Sequence, residues 1–382
     1  MTDDIRRARA GLFTAFAGLG VTAAFVPAVL PSAERAIGSD LSTAVPALFA
    51  GLLVGVLMSG PLLMRRPPRT ALMLGSALQA AAIVMVALAG TPAVFITAAA
   101  VAGFGFGLVE ASGSAAAKSL SVGSATGLLS ALLGTVAVCA AVTPLLVAAG
   151  SGVRPALGLL AIVPLLTVAM LTGSGSAVTP AEAPARRDMR GLLVLLPFAV
   201  ALPLYVGVET VLSGWSAVIP ERILAVEPGL AALGTSAFWA LMAVGRFGAA
   251  GLRRLSVSPI VILVSATSAA AILMATAGLL VGSAPVGALV ALAAVVVLLA
   301  PSYGLILGLA LDHLDPARSA AVTGALVACG AVGGTFVPTL ILLVGRDPAS
   351  STTFLVSAAL CALVPALVLI AGRSRQRASA TS

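Results

Sequence analysis

Apolar residues run along this chain in stretches of about 20, with charged or Pro/Gly-rich turns between them. A helix that crosses a bilayer needs about 20 mostly apolar residues. The stretches that meet this length are about 11–31, 42–64, 70–89, 93–117, 124–149, 154–173, 191–220, 230–251, 257–281, 285–311, 319–345 and 350–372. The longest interruption, residues 174–190, holds Gly, Ser and Pro and the cluster Arg186-Arg187-Asp188-Met189-Arg190. It separates two sets of six spans. The expected organisation is an N-terminal six-helix bundle (1–173), a cytoplasmic linker (174–190) and a C-terminal six-helix bundle (191–382).

Composition sharpens this picture. The 382 residues are 60% hydrophobic and 9% charged, whereas about a quarter charged is usual in soluble domains. A polytopic membrane protein is the class that fits. The run after Met1–Ala10 is longer than a signal-peptide core and shows no small-residue cleavage site, so it reads as the first span. Cys139, Cys329 and Cys361 all lie within apolar runs, and no disulfide framework is expected.

The net charge of +8 invites a nucleic-acid reading, but its distribution argues against one. The basic residues cluster at the ends of apolar runs with almost no aromatic interleaving. With the N-terminus inside, only Arg35, Arg154, Arg222 and Arg346 of the 21 basic residues fall outside, leaving 17 (21 − 4) within. This positive-inside bias predicts a multi-pass protein of the cytoplasmic membrane with both termini in the cytoplasm.

The halves also repeat. Gly134-Thr-Val-Ala-Val-Cys139 recurs as Gly324-Ala-Leu-Val-Ala-Cys329, and Val54-Gly55 as Val244-Gly245, both at an offset of 190 (324 − 134; 244 − 54). Arg65-Arg66 has its counterpart in Arg253-Arg254. Matches at one offset mark an internal duplication. Six spans separate the copies, so the repeat is parallel. The expected fold is therefore an all-α membrane protein, with twelve transmembrane helices in two parallel pseudo-symmetric six-helix bundles. That is the major facilitator arrangement, with the solute site near the midplane between the halves.

Small residues crowd the spans. Gly51-x-x-x-Gly55, Gly103-x-x-x-Gly107, Gly123-x-x-x-Gly127 and Gly304-x-x-x-Gly308 are spaced for close helix approach. Gly330, Gly333, Gly334 and Pro338 are expected to soften span eleven, and Pro197 and Pro203 to soften span seven.

Of thirteen acidic residues, all but Glu110 in span four and Glu209 in span seven fall in loops or at span ends. A charge at the bilayer centre costs roughly 2.5–3.5 kcal/mol on insertion scales, so an intramembrane carboxylate is a functional candidate. Low dielectric favours the neutral form of a carboxyl, and a group that can be neutral or charged can carry a proton across an alternating site. The plainer alternative is a protonated Glu bonded to a neighbouring hydroxyl or carbonyl. Helical periodicity puts Tyr205, Glu209 and Leu212 on one face, with Ser213 and Ser216 nearby.

Two stretches carry a family resemblance. Tyr205-Val-Gly-Val-Glu209 with Gly214-Trp215 resembles the seventh span, and Gly103-x-Gly105-x-Gly107-x-x-Glu110 the fourth span, of the fucose–proton symporter family of the major facilitator superfamily. The resemblance implies alternating access, uptake of a sugar-like solute and proton coupling through Glu110; Glu209 is read from its place in span seven as at or near the solute and sharing in coupling. The chain departs from the family in having Ser114 where an Asn is common and no acidic residue in the first span; it contains no Asn at all. Its solute site would be built from Glu209, Tyr205, Ser213, Trp215, Ser114, Trp239 and Tyr303.

Gly60 to Arg69 resembles the superfamily's conserved cytoplasmic loop without its Asp, and Val244-Gly245-Arg246-Phe247 is the better-kept copy. Arg246 is read as a gating residue near the cytoplasmic end of span eight, or alternatively as an arginine snorkelling to the interface. Lys118 reads as an interface anchor. Asp312-His313-Leu-Asp315 reads as a solvated loop rather than a metal site. No cofactor or metal is expected. The expected partners are a small-molecule solute, a proton (favoured by the resemblance, although no residue rules out sodium) and the lipid bilayer, for a chain working as a monomer. The alternative function is a proton-driven exporter of drug-like or amphipathic compounds. The chain lacks the motifs of a membrane-embedded enzyme and any Gly-x-x-x-x-Gly-Lys-Ser loop for ATP.

Overall fold

The computed structural model describes residues 2–119, 126–172, 195–254, 256–311 and 316–380. Residues 174–190 and the group Asp312, His313 and Asp315 lie outside the described residues, as does Gly123 of the third glycine pair. Among the described residues every regular element is a helix. Among the same residues, twelve helical segments are long and apolar enough to cross a membrane.

The first six spans are α1 (Thr2–Ile37), α2 (Ala44–Arg65), α3 (Pro68–Leu88), α4 (Pro92–Ser119), α5 (Thr126–Gly150), and a 3-10 helix (Ser151–Ala161) that continues into α6 (Ile162–Thr172). Then come α7 (Leu196–Gly214), the short α8 (Val218–Leu224), α9 (Pro228–Ala231) running into α10 (Leu233–Arg254), α11 (Pro259–Leu280), α12 (Pro285–Leu299) with α13 (Ser302–Leu311), α14 (Pro316–Gly345) and α15 (Ser351–Ala380). Proline opens α3, α4, α11 and α12, where its missing N–H leaves no helical bond unmade. Gly38 takes φ 74° just beyond α1, and its amide donates to the Glu34 carbonyl at 2.8 Å, closing the helix.

Three spans differ from the sequence expectation. Span six begins as a 3-10 helix containing Pro155. Span seven stops at Gly214, not 220, and the chain turns at Trp215 before α8. Span ten, expected to be continuous, breaks at Ala300 and Pro301. A proline inside a helix removes an amide and clashes with the carbonyl four residues earlier, here Val297. By contrast, α14 runs unbroken through Gly330, Gly333, Gly334 and Pro338.

The chain divides into two compact units. The first comprises Met1–Glu182 with Ser216–Glu221 and Val226–Trp239. Within it α4 packs on α2 and α3, and α1 packs on α5 and α6. Buried Leu12, Phe16, Leu19, Leu72, Val109, Leu132 and Leu171 form part of its core. Arg35 at the end of α1 pairs with Glu227 at 3.1 Å and Glu221 at 3.5 Å, and Ser236 donates to the Ala141 carbonyl at 2.9 Å. The second unit comprises Ala183–Trp215, Arg222–Ala225 and Ala240–Ser382. There α7 packs on α14 and α15, and α11 on α12 and α15.

The glycines decide which helices meet backbone to backbone. A side chain at Gly103 would strike the Leu48 carbonyl, and one at Gly107 the Leu52 carbonyl. Facing them, side chains at Gly51 and Gly55 would strike the Ala100 and Phe104 carbonyls. The α2–α4 seam is therefore a reciprocal glycine interface. Gly105 points instead to α3, where a Cβ would lie 2.6 Å from the Gly75 carbonyl oxygen. The expectation for Gly304 and Gly308 is corrected: among the described residues nothing lies within 4 Å of a Cβ at either position, so this pair forms no seam with them.

Candidate functional site

The first candidate is on α4. Gly103, Gly107, Glu110 and Ser114 recur at i, i+4, i+7 and i+11, one stripe of a 3.6-residue helix. The glycine seam thus fixes where Glu110 lies, on the stripe that carries the contact with α2 a turn earlier. Glu110 is half-buried and Ser114 exposed. The Glu110 carboxyl makes no ion pair with any described residue. Ser112, on another face, donates to the Leu108 carbonyl.

Deeper in the same unit is a polar contact that the sequence reading did not assign. Thr22 of α1 donates to Gln79 Oε1 of α3 at 2.8 Å. Gln79 is fully buried, and its amide nitrogen has no partner among the described residues. Gln79 is one of two Gln in the chain, and a polar amide amid an apolar span was the signal that could have flagged it.

The second candidate is in the second unit, around the break in span ten. Tyr205 and Glu209 stand one turn apart on α7. The Tyr205 hydroxyl is buried beside the Glu209 carboxyl, and the Tyr303 backbone amide at the start of α13 is directed at it. It completes a well-aligned hydrogen bond to neither. The Arg246 guanidinium on α10 acts electrostatically on both Tyr205 and Glu209.

Local structure explains how Arg246 reaches this place. Pro301 leaves carbonyls near the end of α12 without helical donors. A side chain at Gly245 would run into the Val297 carbonyl, so α10 touches α12 at the point the proline weakens. The next residue, Arg246, donates from Nε to the Ala300 carbonyl at 3.4 Å. Neighbouring groups that re-satisfy freed backbone are what a broken transmembrane helix requires. Ser302, first residue of α13, is fully buried, and its hydroxyl has no partner among the described residues.

The structure thus brings together Tyr205, Glu209, Arg246 and Tyr303, with Tyr303 half-buried and within 3.9 Å of a Cβ placed at Gly330. Ser213 lies half-buried a turn beyond Glu209, its hydroxyl 3.5 Å from the Thr210 carbonyl. Trp215 is fully buried at the end of α7. Trp239 belongs to the first unit, edge-to-face with Phe238 at 5.5 Å and 88°. Sequence reasoning named Gly245 only within the repeat and the loop-like motif, not as a contact with α12, and it did not foresee the Ala300–Ser302 break. Among the described residues, no three His, Cys, Asp or Glu gather as a metal site.

No family model matches the chain, and no curated protein matches it. Solved structures do. A D-xylose–proton symporter is 16% identical, with a TM-score of 0.75 over 95% of this chain and 97% of its own. A POT family transporter, in complex with a thioalcohol-conjugated peptide, is 13% identical with a TM-score of 0.75 over 96% of each chain. The fucose–proton symporter of E. coli is 16% identical with a TM-score of 0.63 over 95% of this chain and 98% of its own. At such identities the likeness speaks for architecture. Together with its twelve apolar helices, it makes the chain a multi-pass membrane protein with the major facilitator fold.

Proposed function

We propose that the protein is a secondary active transporter of a small polar organic solute, working by alternating access in the cytoplasmic membrane with both termini inside. Protons drive it through Glu110. Glu209 contacts the solute, with Tyr205, Ser213 and Tyr303 near it. The observation that carries the coupling reading is Glu110 itself, a half-buried carboxyl inside an apolar span with no ion pair to any described residue. A carboxyl held by a fixed cation would be locked in one charge state; one without such a partner is free to change it. The xylose and fucose carriers among the neighbours are named as proton symporters, which favours protons as the driving ion and a sugar-like solute.

The test is uptake into proteoliposomes under an imposed pH gradient. Glu110→Gln should abolish accumulation while leaving solute exchange without a gradient. Undiminished accumulation in that variant would exclude the coupling role. The lack of Asn supports a second reading, export of amphipathic compounds. Right-side-out and inverted vesicles separate the two by the direction of net movement.

A further inference from the structure

We propose that Arg246 anchors a carboxylate on the transported solute, so that the site around the span-ten break takes small organic acids carrying a hydrogen-bond donor, not neutral sugars. This rests on the transporter reading above and narrows its solute.

The argument starts from an arginine kept inside a span. Arg246 lies within the membrane-crossing segment Pro228–Ala249. It stands three residues before the end of that segment, and ionisable residues within spans are rare and persist where they have a use. The helix break employs only its Nε, on the Ala300 carbonyl. Among the described residues no carboxylate comes within 4.0 Å of the guanidinium. Arg246 is also exposed at the surface of its unit, so its terminal nitrogens are accessible. Two parallel N–H groups on a planar cation match the two oxygens of a carboxylate.

The surroundings agree. Glu209 is close enough to interact with Arg246 electrostatically yet forms no ion pair with it. The cation and the anion therefore stand more than 4.0 Å apart, and a solute carrying both an acid and a hydrogen-bond donor would satisfy both. The ten-residue α13 begins at this break, and its first amides carry the positive end of the helix dipole. Ser302 at that end is fully buried, and its hydroxyl has no partner among the described residues. Arg246 and the positive end of α13 favour an anion. Glu209 accepts from an ammonium or hydroxyl a few ångströms away. A neutral sugar would leave the guanidinium uncompensated, and this chain has no Asn to supply the amide contacts a sugar would use instead.

The experiment is a thermal-shift comparison on the purified full chain in detergent, using matched pairs: D-glucuronate against D-glucose, and L-alanyl-L-alanine against its C-terminal amide. A bound solute raises the melting temperature by mass action. At least one acid should do so, with its neutral counterpart giving no shift. Arg246→Gln should weaken that acid roughly 10- to 100-fold, as loss of a charged hydrogen-bond partner does. Arg246→Lys, which keeps the charge without the paired N–H geometry, should recover part of it. The proposal is overturned if no acid shifts the protein, if the neutral partners shift it equally, or if Arg246→Gln binds the acid as wild type does. If neutral solutes bind and accumulate in proteoliposomes, the transporter reading stands and this one falls. If acids bind through Arg246 but no gradient accumulates them, this one stands and the coupling reading falls.

Discussion

Glu110 and Glu209 lie in the two copies of one repeated sequence, but their settings differ. Glu110 continues a glycine stripe along an unbroken helix, where α2 and α4 meet through bare backbone. Glu209 stands beside a helix whose backbone has come apart, among a tyrosine, an arginine and freed main-chain groups. Glycine lets two helices touch without adding polarity, because every amide and carbonyl stays within its own helix. A proline break does the reverse: it releases main-chain polar groups and obliges neighbouring side chains to meet them. A carboxyl in the first setting has little to bind but a proton. One in the second has the makings of a recognition site.

This comparison can be broken experimentally, beginning with the α2–α4 seam. Gly103→Val drives a branched side chain into the Leu48 carbonyl. It should destabilise the protein by about 3 kcal/mol or more, since neither backbone can give way cheaply. Loss of the monodisperse peak in detergent, or a steep drop in melting temperature, is the expected readout; an unchanged melt would mean that the seam is not tightly packed.

Next comes the break. Arg246→Ala takes away the donor to the Ala300 carbonyl. A loss of about 1–3 kcal/mol is expected for a buried acceptor left bare. A melting temperature equal to wild type would show that the arginine gives the break no structural support. The smallest effect is reserved for Gly304→Ala, where the added methyl meets open space. The change should stay within about 0.5 kcal/mol, and a large loss there would reinstate the helix contact that the structure denies.

Much of the fold could be read in advance because lipid imposes a simple rule. Every span must be long, apolar and helical, and prolines open several of them. The seam between Gly51/Gly55 and Gly103/Gly107 was legible for the same reason. The matching spacing at Gly304 and Gly308 misled, since spacing tells that two glycines share a face but not whether a helix lies opposite. Pro301 was visible but sat in an apolar run, so hydropathy carried span ten straight across it. Tyr205 and Glu209 could be paired from their four-residue separation along one helix. That Arg246 joins them depends on α10 touching α12 at Gly245, a tertiary contact that no local pattern encodes.

The glycine seam also has a mechanical meaning. Four glycines on two helices interlock with carbonyls on the facing strand of backbone, so sliding one helix along the other by even part of a turn would push carbonyl into carbonyl. The atoms nearest these glycines across the contact are all main chain, not flexible side chains. The pair therefore moves as a single strut. Under the coupling proposed above, Glu110 rides on that strut, and a motion triggered by its protonation would swing α2 and α4 together.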